Sequence, residues 1–341
     1  MSAQTHAQAA AALRQIAFGL RASQALYVAA DLRIADHLAA KPMASAALAR
    51  LTGADAGALH RLMRALCALG VFSESSTGDF ALNATSELLR SDVPGSYRAA
   101  VLFLVGDVRW RCWSDLLGAV RAGGDGAERT LGMGLFDFYA AHPEESKLHD
   151  QAMRSLSAAQ VAAVLEVMDL SHAGTVVDVG GGTGELLAAI LARNPALRGI
   201  LFDLPHVVAH AAQVTSAVAD RLEIGSGSFF DSVPAGGDTY LLKAIIHDWD
   251  DARAMAILRN CRKAMKPAGK LLLLDRELPE PGQPLAASEM FLLDLEMLVM
   301  TPGGRERTRA EFARLLLDAG LELARTLPTR SPLTIFEARP V

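Results

Sequence analysis

The sequence predicts an α/β chain in two parts, a mostly helical first half and a second half in which short apolar strands alternate with helices. Apolar residues recur at helical spacing up to about residue 170, and apolar runs bounded by turn residues take over after Ser171. One of those runs passes into a helix through the turn Gly180-Gly181-Gly182-Thr183-Gly184. With 341 residues, 51% of them apolar, the chain is long enough to bury two cores.

In chain order, Leu13, Ile16, Phe18, Leu20, Leu26, Tyr27 and Leu32 mark a long N-terminal helical region. Two shorter helices separated by Thr52-Gly53 follow, the second predicted over 56–69 and stopped by Gly70. Val71-Phe72-Ser73 and Phe80-Ala81-Leu82 then flank a Thr77-Gly78-Asp79 turn as a hairpin. Helix, helix and hairpin in this order spell a winged helix. A groove-reading helix needs a basic stripe, whereas this one offers His60, Arg61 and Arg64 with Asp31, Asp36, Asp55, Glu74 and Asp79 around it in sequence. That charge pattern speaks against DNA binding, and the apolar excess of the first segments predicts a dimerisation or lid surface instead. Gly123-Gly124-Asp125-Gly126 reads as a loop within the helical half.

After Ser171 the alternation implies a parallel sheet with crossover helices. Strands are expected over 175–179, 199–203, 239–246 and 270–275, with two more near 321–327 and 333–338. Asp250 and Asp251 open a helix carrying Met255, Leu258, Cys261 and Met265, which ends at Pro267 and Gly269. Thr308 and Glu311 form a capping box for a later helix that Gly320 closes.

The glycine turn points to a nucleotide. Gly180, Gly182 and Gly184 stand at every second position, unlike the G-x-G-x-x-G spacing that seats a dinucleotide pyrophosphate. Asp178, just before the turn, would repel a pyrophosphate but suits S-adenosylmethionine (SAM), which carries an ammonium and a sulfonium and no phosphate. Asp203 ends the apolar run Ile200-Leu201-Phe202, about 20 residues past the glycines, where such folds place the acceptor for two ribose hydroxyls. Together they predict a Rossmann-like SAM site.

Chemistry belongs where strands end. The run from Lys243 to Asp250 leaves a strand, so His247 is expected on the same rim as the turn and Asp203. Removing the proton of a phenol, whose pKa is near 10, helps its oxygen attack a methyl group, and histidine titrates where it can take that proton at neutral pH. Such a base needs an acceptor on its other ring nitrogen; Asp275 and Glu306 are the candidates.

Composition excludes several classes. A formal charge of −5 gives no general attraction for nucleic acid or anionic membranes. No apolar stretch is long enough to span a bilayer and the N-terminus lacks a signal-peptide layout, so a cytoplasmic protein is expected. Cys67, Cys112 and Cys261 are far apart and odd in number, which argues for reduced buried thiols rather than disulfides or a metal site.

Four motifs carry a resemblance over nearly the whole chain: Asp178 to Gly184, Phe202-Asp203-Leu204-Pro205-His206-Val207, Lys243 to Asp250, and Pro302-Gly303-Gly304-Arg305-Glu306-Arg307-Thr308. With the winged helix before them, they resemble the SAM-dependent small-molecule O-methyltransferases, typified by plant caffeate and flavonoid enzymes and by bacterial polyketide- and phenazine-tailoring relatives. The resemblance implies a winged-helix dimerisation domain over 1–110, a helical linker over 111–170 contributing to the acceptor pocket, and a Rossmann-like methyltransferase domain over 171–341. It further implies a homodimer, a small aromatic acceptor and no metal. Carried over by residue, Gly180, Gly181 and Gly182 cradle the methionine part of SAM, Asp203 with Leu204 beside it meets the ribose, and Lys243 lies near the adenosine. His247 falls at the general base, flanked by Asp275 and Glu306.

Two departures stand out. Asp275 is one methylene shorter than the Glu often found at its position. In Gly227-Ser228-Phe229-Phe230-Asp231, Ser228 stands where relatives usually carry the Asp that accepts from the adenine amino group, while Phe229 would pack on the ring. A neutral acceptor in place of a charged one weakens that bond by about 1 kcal/mol. Phe138, Met153, Asp248, Trp249, Met297 and Met300 match regions that line the acceptor pocket in relatives, and His149 stands where relatives commonly carry Phe. The rival readings are a SAM-binding homologue that methylates a ring nitrogen or performs decarboxylation or hydroxylation, and a SAM-sensing DNA-binding regulator. His247, Asp275 and Glu306 favour O-methylation, because a ring nitrogen has a free lone pair and needs no base.

Overall fold

A computed structural model describes residues 3–170, 174–284 and 288–341. The chain divides into two compact units, Met1–Trp110 with Lys147–Leu156, and Arg111–Ser146 with Ser157–Val341. The helix Pro143–Val167 therefore runs through both. The expected switch point at Ser171 lies outside the described residues.

In the first unit the N-terminal helix Ala3–Asp31 is followed by strand β1 (Met43–Ala44), helices Ser45–Thr52 and Ala56–Ala68, and strands β2 (Ser73–Glu74) and β3 (Asp79–Ala81). The three strands form a small sheet in the order β1-β3-β2. Asp55 starts the helix Ala56–Ala68 by accepting a hydrogen bond from the Ala58 amide, which satisfies a donor that the first turn would leave unpaired. Ile34, Leu48, Met63, Leu66 and Phe80 are sealed in one core, each contributing about 1.5–3 kcal/mol by burial. Leu13, Ile16, Phe18 and Leu20 stay exposed on the first helix, as the apolar excess of that segment led one to expect.

The second unit is built on β4 (Thr175–Val179), β5 (Arg198–Asp203), β6 (Leu222–Ser226), β7 (Thr239–Lys243), β8 (Lys270–Leu278), β9 (Arg307–Thr308), β10 (Leu321–Pro328) and β11 (Leu333–Pro340). Their order is β10-β11-β8-β7-β4-β5-β6, with β9 added to β8. The pairs from β8 to β6 are parallel, but β11 runs antiparallel to both β8 and β10. The sheet is thus mixed rather than wholly parallel, because the short connection 329–332 leaves no room for the crossover helix that a parallel return requires. The edge strand β6 was not expected; Leu-Glu-Ile-Gly-Ser is too polar to read as a buried run.

Alternating side chains of β8 feed two cores. Leu271 and Leu273 join Tyr240, Leu258, Phe312 and Phe336 on one face. Leu272 and Leu274 join Leu187, Ile190, Leu241 and Ile335 on the other. Burial on both faces is what a central strand with helices on each side demands. Parallel register pairs Val179 with Phe202 and Lys243 with Leu274, so the glycine turn, Asp203, the segment after Lys243 and Asp275 all emerge at one edge of the sheet.

β7 is shorter than the expected 239–246. It stops at Lys243 because Ala244 takes a left-handed backbone conformation, φ 54°, and the chain then makes a tight turn over Ile246–Asp248. Of the thiols expected to be buried, Cys112 and Cys261 are, but Cys67 is only half-buried; none of the three is in a disulfide.

Candidate active site

The glycine turn is held by the carboxylate predicted to meet a ribose. One Asp203 oxygen accepts from the Gly182 amide at 2.8 Å and the other from the Leu204 amide at 2.7 Å, so Asp203 braces the turn while remaining at its mouth. Gly180, φ 68°, has no room for a side chain: a Cβ there would lie 2.5 Å from Ile245 Cδ1. Such close approach lets a ligand reach the backbone. Gly181 is equally confined by Leu201 and Asp178. Asp178 lies buried beneath the turn with Oδ2 unpaired. Burial pushes its carboxyl up to about 7 against the pull of Lys243, with Asp203 and Glu185 adding to the rise. Lys243, itself lowered by burial, donates to Ser157 Oγ at 3.1 Å.

Gly227 donates to the Asp203 carbonyl at 3.0 Å, which sets the next segment beside the turn. Ser228 Oγ accepts from the Phe230 amide at 3.2 Å, and the Asp231 side chain is exposed. Phe229 lies over the turn, with a ring carbon 3.5 Å from where a Gly180 Cβ would stand.

At the same sheet edge His247, Asp275 and Glu306 come together, all buried. His247 Nδ1 donates to Glu306 Oε1 at 3.0 Å and lies 3.4 Å from Asp275 Oδ1. The shorter Asp275 side chain thus stays in ion-pair range without completing a hydrogen bond; its Oδ1 accepts from the Arg276 amide instead. His247 Nε2 is 3.6 Å from Asp248 Oδ1. Burial opposes charge on the imidazole, but the carboxylates of Asp275, Asp248 and Glu306 outweigh it and push His247 up to about 10. Burial raises Asp248 to about 6 and raises Asp275. Glu306 resists burial and falls below the usual range because His247 and then Arg276 stabilise its charge.

Sequence reasoning missed three contributors. Arg276 brings its guanidinium within 3.6 Å of Glu306 Oε1, Asp294 accepts from the Glu306 amide at 2.8 Å, and Phe136 stacks on Trp249 with ring centroids 5.4 Å apart. None sits in a motif with a chemical spacing of its own. Trp249 also meets the edges of Phe229 and Phe230, which joins the turn carrying His247 to the aromatic wall over the glycine turn. Its buried indole N–H has no partner among the described residues.

The remaining expected residues distribute as follows. Met297 and Met300 are buried on the helix Ser288–Met300. Phe138 is buried in the helix Leu135–Ala141 and stacks on His142, centroids 3.9 Å apart. His149 and Met153 lie in the part of the helix Pro143–Val167 that belongs to the first unit, where His149 faces Asp150 and the edge of Phe103.

His247, Asp275 and Glu306 offer ligand atoms within 4.8 Å of one another, the spacing of a metal site. Nδ1 carries the proton given to Glu306, and the Arg276 cation lies beside the same carboxylate, while Asp275 Oδ2 and Glu306 Oε2 are buried with no hydrogen-bond partner among the described residues. The trio is a buried imidazole set between two buried carboxylates.

The O-methyltransferase domain family matches residues 113–322 and the O-methyltransferase dimerisation domain family matches 14–92. The phenazine O-methyltransferase PhzM of Lysobacter antibioticus is 42% identical over 331 residues, 96% of each chain. The solved structure of the mitomycin 7-O-methyltransferase MmcR superposes with a TM-score of 0.93 at 37% identity, covering 100% of both chains. That of NcsB1, an O-methyltransferase from neocarzinostatin biosynthesis in complex with SAM and 2-hydroxy-5-methyl naphthoic acid, gives 0.82 at 32% identity, covering 94% of this chain and 96% of the other. Matched over these lengths, the chain belongs to the O-methyltransferase family: it is a SAM-dependent O-methyltransferase that needs no metal and carries the family's N-terminal dimerisation domain.

Proposed function

We propose that the chain methylates a phenolic hydroxyl of a polycyclic aromatic secondary metabolite of the phenazine or polyketide type, with His247 as general base for in-line transfer. The observation that carries this reading is the buried hydrogen bond from His247 Nδ1 to Glu306, which leaves Nε2 as the working nitrogen. The phenol gives its proton to Nε2, its oxygen forms a bond to the methyl carbon, and the carbon–sulfur bond breaks to leave a neutral thioether. SAM supplies the methyl group and a positive charge. Gly180, Gly181, Gly182, Asp203, Leu204, Gly227, Ser228, Phe229 and Lys243 would hold it, Asp178 answering its ammonium.

Three carboxylates keep the imidazole protonated at rest. A cationic donor bound on the same rim opposes that charge, so binding SAM lowers the imidazole's hold on its proton. Trp249, Phe138, Met297 and Met300 supply an apolar, aromatic wall suited to a flat acceptor; Asp248, His149 and Met153 are assigned to acceptor binding as well. We assign the working molecule as a homodimer, and the segments 1–110, 111–170 and 171–341 as dimerisation domain, acceptor-binding linker and catalytic domain. Phenazine substrates of the Lysobacter relative support the acceptor class.

The test is methyl transfer from labelled SAM to hydroxylated phenazines, polyketide aromatics, flavonoids and catechols, with His247→Ala beside the wild type. Ether formation on one scaffold, lowered about 10²–10⁴-fold in a variant that still binds SAM, is the expected result. A loss below tenfold would remove His247 from the role of base. Transfer to nitrogen alone would replace the reading with N-methylation.

A further inference from the structure

We propose that Arg307 is the positioning residue that aims His247. Its guanidinium ties the carbonyls on both sides of the base to the chain segment that also delivers Glu306. The proposal rests on the reading of His247 as base.

Arg307 is wholly buried, an expensive place for a permanent cation unless every donor is used. All are. One terminal nitrogen donates to the Ile246 carbonyl at 2.9 Å and to that of Arg305 at 3.4 Å. The other donates to the Trp249 carbonyl at 2.8 Å and to Asp251 at 2.8 Å, and Nε donates to Asp251 at 3.1 Å. These five bonds match the five N–H groups of the side chain. Ile246 and Trp249 bracket His247 and Asp248, so the planar fork spans the tight turn that carries the base.

The same segment grips that turn from its backbone. Arg305 N–H donates to the His247 carbonyl at 2.8 Å, and Gly303 bridges to Trp249. Gly304 makes the approach possible, since a Cβ there would stand 2.5 Å from the His247 carbonyl oxygen. Glu306, between Arg305 and Arg307, points at His247 Nδ1. Base and orienting acid are therefore fixed relative to each other by one buried cation. Lysine cannot do this: its single nitrogen cannot reach the Ile246 and Trp249 carbonyls and Asp251 together.

The test compares Arg307→Lys and Asp251→Asn with the wild type by kinetics, SAM affinity and the NMR titration of the His247 imidazole, which faces Asp248, Asp275 and Glu306 with Arg276 behind Glu306. Arg307→Lys should keep SAM affinity and acceptor KM within about threefold while kcat falls about 30–100-fold, the scale of a misplacement near 1 Å. The His247 titration and the kcat–pH profile should move with it. Asp251→Asn, which leaves the carbonyl bonds in place, should lose about three- to tenfold in kcat and shift the titration in the same sense. If Arg307→Lys does not fold, Asp251→Asn decides alone. A folded Arg307→Lys with wild-type kcat and an unmoved titration would overturn the proposal, as would losses of SAM affinity and KM with kcat preserved. Should His247→Ala prove active, the base reading falls, and the titration of His247 in Arg307→Lys still judges the positioning.

Discussion

The two halves of the site are built differently. The half we assign to SAM is local: a strand, a turn and the next strand bring Gly180, Gly182 and Asp203 together, and Asp203 closes the turn through two backbone amides. The half we assign to acid–base chemistry is assembled from residues far apart in the chain, with His247, Asp275 and Glu306 arriving from three segments. A local site tolerates change elsewhere but not in its own backbone. An assembled site depends on the charges and clamps that hold its pieces in register.

Mutations should separate the halves. The largest effect should come from Glu306→Gln, which keeps shape but removes the charge opposite Nδ1; kcat should fall about 10²-fold or more with SAM affinity nearly unchanged, by analogy with the orienting acid of a triad. Steady-state kinetics alongside calorimetric SAM titration checks both halves of that statement. Gly180→Ala should do the reverse, because the left-handed backbone and the clash with Ile245 cost about 1–3 kcal/mol in the turn. SAM should bind about 5- to 150-fold more weakly, with kcat at saturation close to wild type.

The pH dependence of stability sharpens the contrast. His247 is raised from 6.5 to about 10, so the native state holds its proton more tightly than the unfolded chain. Its stabilisation is complete below 6.5 and lost as pH rises through 10. Asp178, raised from 3.8 to about 7, also favours its protonated form in the native state, and that contribution fades between those two values. Urea midpoints should therefore flatten between pH 7 and 10 in His247→Gln and between pH 4 and 7 in Asp178→Asn. A variant that leaves its own window unchanged would contradict the electrostatics of that half.

The smallest effect is at adenine. Ser228→Asp should tighten SAM by about fivefold, the worth of about 1 kcal/mol for a charged acceptor, with kcat unaffected; calorimetry would detect it.

Sequence reading reached the local half almost completely. Strand 175–179, the glycine spacing, Asp203 and the Thr308–Glu311 capping box are properties of neighbouring residues. It also singled out His247, Asp275 and Glu306, which the fold brings within ion-pair distance of one another, although β8 runs on past Asp275 to Leu278 rather than ending there. It missed Arg276, Asp294 and Phe136, whose roles exist only through contacts across the fold, and it ran β7 through Ala244, whose left-handed conformation no composition rule announces.

The sequence alone therefore determined most of the order of elements and the kind of nucleotide, and it named the residues to test for the chemistry, since periodicity, glycine spacing and residue type are written locally. Only the tertiary structure decided the antiparallel return of β11, the hydrogen bond chosen by His247 and the charge it carries at rest. Those follow from burial and from carboxylates converging through space, and electrostatic energy depends on distance in three dimensions rather than on separation along the chain.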